Sequence, residues 1–214
     1  MKDINKNYPI CDTDIWVKNA KHKEFYLKDL IFNKYEKIYM CDAVRQEIGR
    51  KRNDERKRDF ELAKKEYDIC NAGKCINMLK LNDKSIFDEE KRLAIERELS
   101  NYRIVYDDKE GRYKSRTSDL GETVTVVVAS MLGIPIVLCD ESKASSIIWK
   151  YKYLDVRNIV DLLKMHHGND EEYLQQIRRR LSTPIDNNPE KFSRIKEDNK
   201  GRSRLLKFKN KYVS

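Results

Sequence analysis

The sequence predicts an α/β fold, a central and mostly parallel sheet flanked by helices. Three short apolar runs carry this reading: residues 8–12 (YPICD), 38–42 (IYMCD) and 136–140 (IVLCD). Continuous apolar runs of that length suit strands covered on both faces. A helical pattern follows each run, and strands alternating with helices imply a parallel sheet. Each run also ends in Cys-Asp. A parallel sheet would therefore gather several acids at its carboxyl rim, where open α/β sheets bind ligands.

Taken in order, the first seven residues are polar and contribute no element. The strand at 8–12 turns into a helix through Thr13, Asp14, Ile15, Trp16 and Val17, with Asp12 or Thr13 at its cap. Apolar Phe25, Leu27, Leu30, Ile31 and Phe32 predict a second helix over 25–35. After the strand at 38–41, Asp42 is placed to cap a long helix through Ala43, Val44, Glu47 and Ile48 toward Tyr67. Residues 50–58 (RKRNDERKR) form a charge run, of the kind that usually makes a solvated face. Residues 71–85, with Gly73, Asn77, Asn82 and Asp83, read as a helix boundary or loop.

Leu93, Ile95 and Leu99 predict a helix over 86–102, and Ile104, Val105 and Tyr106 are too few to assign. Residues 107–117 (DDKEGRYKSRT) read as a mobile basic loop. Ser118 is a plausible N-cap for a helix with Asp119 in its first turn, where negative charge is favoured. Val124, Val127, Val128, Met131 and Leu132 give this helix an apolar face, and Gly133 is placed to stop it. Beyond the strand at 136–139 come a short helix at 142–149, a last strand near 153–156 and helices at 158–165 and 171–181. The terminal helix ends at Thr183 and Pro184, so residues 1–183 form one domain and 184–214 a basic extension. That extension carries nine Lys/Arg against four Asp/Glu.

Across 214 residues, 45 Lys/Arg oppose 36 Asp/Glu, for a formal charge of +9. Such a balance favours an anionic partner, nucleic acid or an acidic protein. No segment approaches the roughly 18 apolar residues of a membrane span, and the N-terminus has no signal-peptide core, so a cytoplasmic protein without a membrane partner is expected. Five cysteines is an odd number, and Cys11, Cys41 and Cys139 fall at strand ends, which suits a reducing compartment. Cys70 and Cys75 have poor zinc spacing and read as small hydrophobes. His166 and His167, at a helix end, have no evident nucleophile to serve.

Asp12 and Asp140 end two of the strands, and Glu47 lies one to two turns inside the helix after a third, from where it can point back over the rim. Asp119 and Glu122 are three apart and share one helical face. Carboxylates gathered that closely raise one another's pKa unless a cation lies among them. Oxygen ligation without convergent His or Cys points to Mg²⁺ or Mn²⁺.

These acids also resemble a known pattern. Ile10-Cys11-Asp12-Thr13-Asp14-Ile15, Glu47 in CDAVRQEI, Leu120-Gly121-Glu122 opening a helix, and Asp140 with Glu141 after a strand are similar, in order, to the motifs of the PIN-domain ribonucleases. The likeness covers roughly residues 8–165 and belongs to the Leu-Gly-Glu subgroup, which includes toxin-type proteins. It implies a three-layer PIN-like fold and a metal-dependent endoribonuclease. Asp12, Glu47, Glu122 and Asp140 are then the catalytic acids. Asp119 and Glu141 are further ligands, and whether Asp119 or Glu122 holds the metal is left open. Thr13 and Asp14 stand beside them.

On this reading the substrate is single-stranded or looped RNA, because a flexible strand reaches a metal hole on a rim more easily than a stiff duplex. Arg50, Lys51, Arg52, Arg112, Lys114 and Arg116 are the candidate phosphate contacts. An antitoxin-like protein partner or a homodimer is compatible with the same reading. The rival expectation is a catalytically silent PIN-like module that binds RNA or a protein.

Overall fold

The computed structural model describes residues 3–26, 29–115, 119–140, 147 and 149–185. In chain order the elements begin β1 (Ile10–Cys11), α1 (Thr13–Tyr26), β2 (Ile38–Cys41), α2 (Asp42–Gly49), α3 (Lys57–Ala72) and β3 (Ile76–Leu79). They continue with α4 (Glu89–Ser100), β4 (Ile104–Asp107), β5 (Arg112–Ser115), α5 (Leu120–Leu132) and β6 (Ile136–Leu138). A 3₁₀ turn at Trp149–Tyr151 then leads to β7 (Asp155–Arg157), α6 (Ile159–His167) and α7 (Glu171–Ser182). No helix of the described residues is long and apolar enough to cross a membrane.

The protein is α/β, with a five-stranded parallel sheet flanked by seven helices among the described residues. Strand order is β3-β2-β1-β6-β7, with Ile10 paired to Tyr39 on one side and Val137 on the other. The chain runs from β1 outward through β2 to β3, then returns to lay β6 and β7 on the other side of β1. Between β1 and β6 the winding reverses, and such a reversal opens a crevice beyond the carboxyl ends of the two strands. Ile10, Cys11, Val137 and Leu138 are fully buried, as strands covered on both faces require.

Helix α5 is the interior helix. Every residue from Leu120 to Ala129 is buried, and the helix packs on α2, α4 and the sheet. Gly133 ends it in the left-handed conformation at φ 62°. Elsewhere side-chain caps set the starts: Asp88 accepts from the Lys91 N–H ahead of α4, Asp170 from Tyr173 ahead of α7, and Asn158 with Asp161 forms a capping box on α6. Trp16 ties α1 to α3 by donating its indole N–H to the Ala63 carbonyl at 2.9 Å.

Four stretches depart from the sequence expectation. α1 continues to Tyr26, and over 29–35 turns stand where the second helix was expected. The Asp29 carboxylate accepts from the Ile31 and Phe32 N–H groups, and Asn19 accepts from Leu30, so side chains satisfy donors that a helix would have used. The long helix from Asp42 splits into α2 and α3. Its backbone turns extended at Arg50, and Asp54 folds back onto Arg52 and the Arg56 N–H.

Residues 76–79 form edge strand β3, hidden in the sequence by Asn77. Residues 104–115 form the antiparallel hairpin β4-β5, turning at Gly111 (φ 60°), with Tyr106 and Tyr113 packed edge to face. The basic loop is thus in large part a strand. The expected helix at 142–149 and the extension from residue 186 lie outside the described residues.

Candidate metal centre

Asp12 follows β1 and opens α1. Its backbone N–H donates to the Leu138 carbonyl, and its Oδ1 accepts from the Ile15 N–H at 2.8 Å. The carboxyl group is thereby fixed over the crevice between β1 and β6, and only 1 % of the residue is exposed. Glu47 reaches the same place from the last turn of α2, where Thr13 donates its hydroxyl to Glu47 Oε2. From the other side, α5 brings in Asp119 at its N-cap and Glu122 in its first turn. A cavity of about 220 Å³ is lined by Asp12, Asp14, Glu47, Asp119 and Glu122, with Arg50, Arg52 and Arg56 also on its wall.

Gly121 makes this approach possible. A Cβ there would lie 2.3 Å from Thr13 Oγ1 and 2.4 Å from Glu47 Oε2, inside any real contact distance. With hydrogen in that place, the first turn of α5 meets the glutamate directly, and the Gly121 N–H donates to it. A helix N-terminus is a favourable neighbour for a carboxylate.

Burial and neighbouring negative charge act on two of these carboxyl groups. Burial pushes the Asp12 carboxyl well above the usual range; the Ile15 N–H works against this, while negative Asp14 and Glu122 add to it. Glu47 is raised chiefly by burial, held back by Thr13 and Gly121, and raised further by Asp14 and Asp119. Carboxyl groups in this condition retain protons or take a positive ion. The cavity wall offers carboxylate oxygens, and Asp12 and Glu122 approach one another there together with the Cys139 thiol, a donor set able to hold a divalent ion.

Cys139, read in the sequence only as a reduced cysteine at a strand end, is a neighbour of the acids. Its Sγ and one oxygen each from Asp12 and Glu122 lie within 4.8 Å of one another, and the thiol donates to Glu122 Oε1 at 3.5 Å. Burial pushes this thiol far up, so without an ion it is a hydrogen-bond donor to Glu122; with an ion present it is one of three side chains close enough to share it. Its place after β6 was the signal that could have flagged it.

Asp140 is not on the cavity wall. Its carboxylate is paired with the Lys18 ammonium, which also lies 3.9 Å from Asp14, and Arg56 donates to Asp14 at 3.2 Å. Two acids at the rim are thus partnered by basic side chains. The spacing of Asp14 and Lys18, one helical turn apart, was the available hint. Asp42, the remaining Cys-Asp acid, accepts from the Ala43 and Leu81 N–H groups and from the Tyr113 hydroxyl, joining β2, β3 and the hairpin.

Among the candidate phosphate contacts, Arg50 and Arg52 stand on the cavity wall, and Lys51 lines an adjoining cavity. Arg112 and Lys114 lie on β5, paired with Glu110 and Asp107 of their own hairpin. Arg116 and Glu141 fall outside the described residues.

Fold and pocket together define a parallel α/β protein with an acid-lined cavity at its switch point. Comparison with protein-family models, curated proteins and solved structures finds no match to this chain.

Proposed function

We propose that this chain is a PIN-type endoribonuclease that hydrolyses RNA phosphodiester bonds with Mg²⁺ or Mn²⁺. The reading rests on one observation: Asp12, Glu47, Asp119 and Glu122, far apart in sequence, line one cavity that also bears Arg50, Arg52 and Arg56. Asp12 and Glu122, whose oxygens lie within 4.8 Å of each other, would hold the ion, with Asp119 and Glu47 on the same wall and Thr13 and the Gly121 N–H fixing Glu47. A bound divalent ion supplies a water of lowered pKa and charge for the leaving oxygen. The arginines orient the phosphodiester above the acids by charge-assisted hydrogen bonds. Asp14 and Asp140 enter as acids partnered by Arg56 and Lys18, and no protein nucleophile takes part.

A toxin-type role, held silent by a small antitoxin-like protein, is the biological setting that the resemblance suggests. A silent RNA-binding or protein-binding module is the second reading. The ion pair between Lys18 and Asp140 favours it, because it occupies a carboxylate that an active site would use.

End-labelled RNA and matched DNA are incubated with the protein in Mg²⁺, Mn²⁺ and EDTA, beside Asp12→Asn. Metal-dependent cleavage of RNA that the variant lacks supports the nuclease. Equal products from wild type and variant, or no products with either ion, would refute it.

A further inference from the structure

A second cavity, of about 260 Å³, shares Arg50, Arg52 and Phe60 with the acidic one. Its charge has the opposite sign: Arg50, Lys51, Arg52, Lys57 and Lys64 surround it against a single acid, Glu61. A charge run on a convex helix face would be ordinary solvated surface. Here α2 and α3 fold the run into a hollow with Ile48 and Phe60 on its wall. Like charges converging on a concave surface focus their potential on whatever anion enters.

The wall between the two cavities is held in place. The Arg52 guanidinium lies 4.2 Å from the centre of the Phe60 ring and is bound by Asp54 at 2.9 Å. Arg56 lies 5.3 Å from the same ring and is bound by Asp14. Both heads are therefore ordered before any ligand arrives, which reduces the entropy lost when they bind one.

We infer that the basic cavity seats the phosphodiester backbone of a single-stranded nucleic acid beside the bond held in the acidic cavity. This rests on the nuclease reading and adds to it a binding track built by the α2–α3 turn. The substrate class that follows is an extended single strand long enough to occupy both cavities. Lys57 and Lys64, one helical face of α3, join Lys51 as its phosphate contacts. Each is an exposed side chain, so its removal leaves the core untouched.

The test is equilibrium binding in EDTA, where no cleavage occurs, read by anisotropy of a fluorescent single-stranded RNA and of DNA of the same sequence. The variant Lys51→Ala, Lys57→Ala, Lys64→Ala is expected to bind about tenfold more weakly. Its plot of log affinity against log salt should be shallower by about 2, because three phosphates are no longer neutralised and each accounts for ~0.7 of the slope. A charge-matched control neutralises Lys34→Ala, Lys37→Ala and Lys74→Asn, which precede β2 and β3 at the amino ends of those strands.

Wild-type affinity and slope in the triple variant overturn the inference, as does an equal loss in the control or the absence of any nucleic-acid binding. Duplex bound as tightly as single strands overturns the choice of ligand. The nuclease reading fails separately: RNA bound through the track yet uncut in Mg²⁺ or Mn²⁺ sinks it and leaves the track standing. Cleavage intact with unchanged binding by the triple variant does the reverse.

Discussion

Gly121 turns its bare Cα toward the carboxylate of Glu47, and the added methyl of an alanine would stand 2.4 Å from Glu47 Oε2. The atoms in the way are the carboxylate end of Glu47, which can swing aside, and the Oγ1 of buried Thr13, which must turn about χ1 and give up its bond to Glu47, a loss that helix propensity offsets. Gly121→Ala separates site from scaffold for that reason. Alanine gains up to about 1 kcal/mol of helix propensity. The melting temperature should hold or rise, while Mn²⁺ affinity, by titration calorimetry, falls about 10- to 100-fold, as when a group that orients a metal ligand is removed. Unchanged Mn²⁺ binding would remove Glu47 from the centre.

Asp12→Asn should stabilise the metal-free protein while abolishing cleavage. The folded Asp12 carboxyl is raised well above 3.8, so its protonated form is the one that folding favours. That preference is fully present below the unfolded pKa and is lost as pH rises through the folded value. The stability gap between variant and wild type in urea should therefore be smallest at the acid end and widen toward neutral pH, by about 1.4 kcal/mol for every tenfold by which folding tightens proton binding. Saturating Mn²⁺ should close it from the wild-type side. A gap that does not change with pH would show that the carboxyl is not perturbed.

Lys21 and Asp59 form a buried ion pair at 3.0 Å, both nearly inaccessible. Asp59 also accepts from the Ile185 N–H, and Lys21 donates to the Thr183 carbonyl, so the pair fastens the chain after α7 onto α1 and α3. Removing one partner leaves a buried charge alone. Asp59→Ala should cost about 3–5 kcal/mol in urea unfolding. The double variant Lys21→Met, Asp59→Leu should recover much of that loss, and failure to recover any would assign the cost to the hydrogen bonds with the Ile185 and Thr183 backbone.

Cysteine reactivity should be confined to one position. Cys11, Cys41, Cys70 and Cys139 are buried, and burial raises each of their thiol pKa values; Cys75 is partly exposed. Ellman titration of the native protein should give one fast thiol, with four more appearing only in denaturant. A second fast thiol in the native state would contradict the burial at the strand ends.

By itself, the sequence determined the sheet class, the strands that lead into Cys-Asp and the interior helix before Gly133. These are local signals: apolar runs, helical periodicity and cap residues depend on neighbours within a turn or two. The turn after α1, the break at Arg50, edge strand β3 and the β4-β5 hairpin were not legible, because Asp29, Asp54, Asn77 and Tyr113 each act through contacts that residue type alone does not announce.

Only the tertiary structure decided how the acids divide. Asp12, Glu47, Asp119 and Glu122 share a cavity, Asp140 goes to Lys18, and Asp42 is taken up by the Leu81 N–H and the Tyr113 hydroxyl. The physical reason is that a carboxylate's role is set by the charges and donors within a few ångströms of it in space. In this chain those neighbours come from far along the sequence: Lys18 and Asp140 are 122 residues apart, and Asp59 and Ile185 are 126 apart.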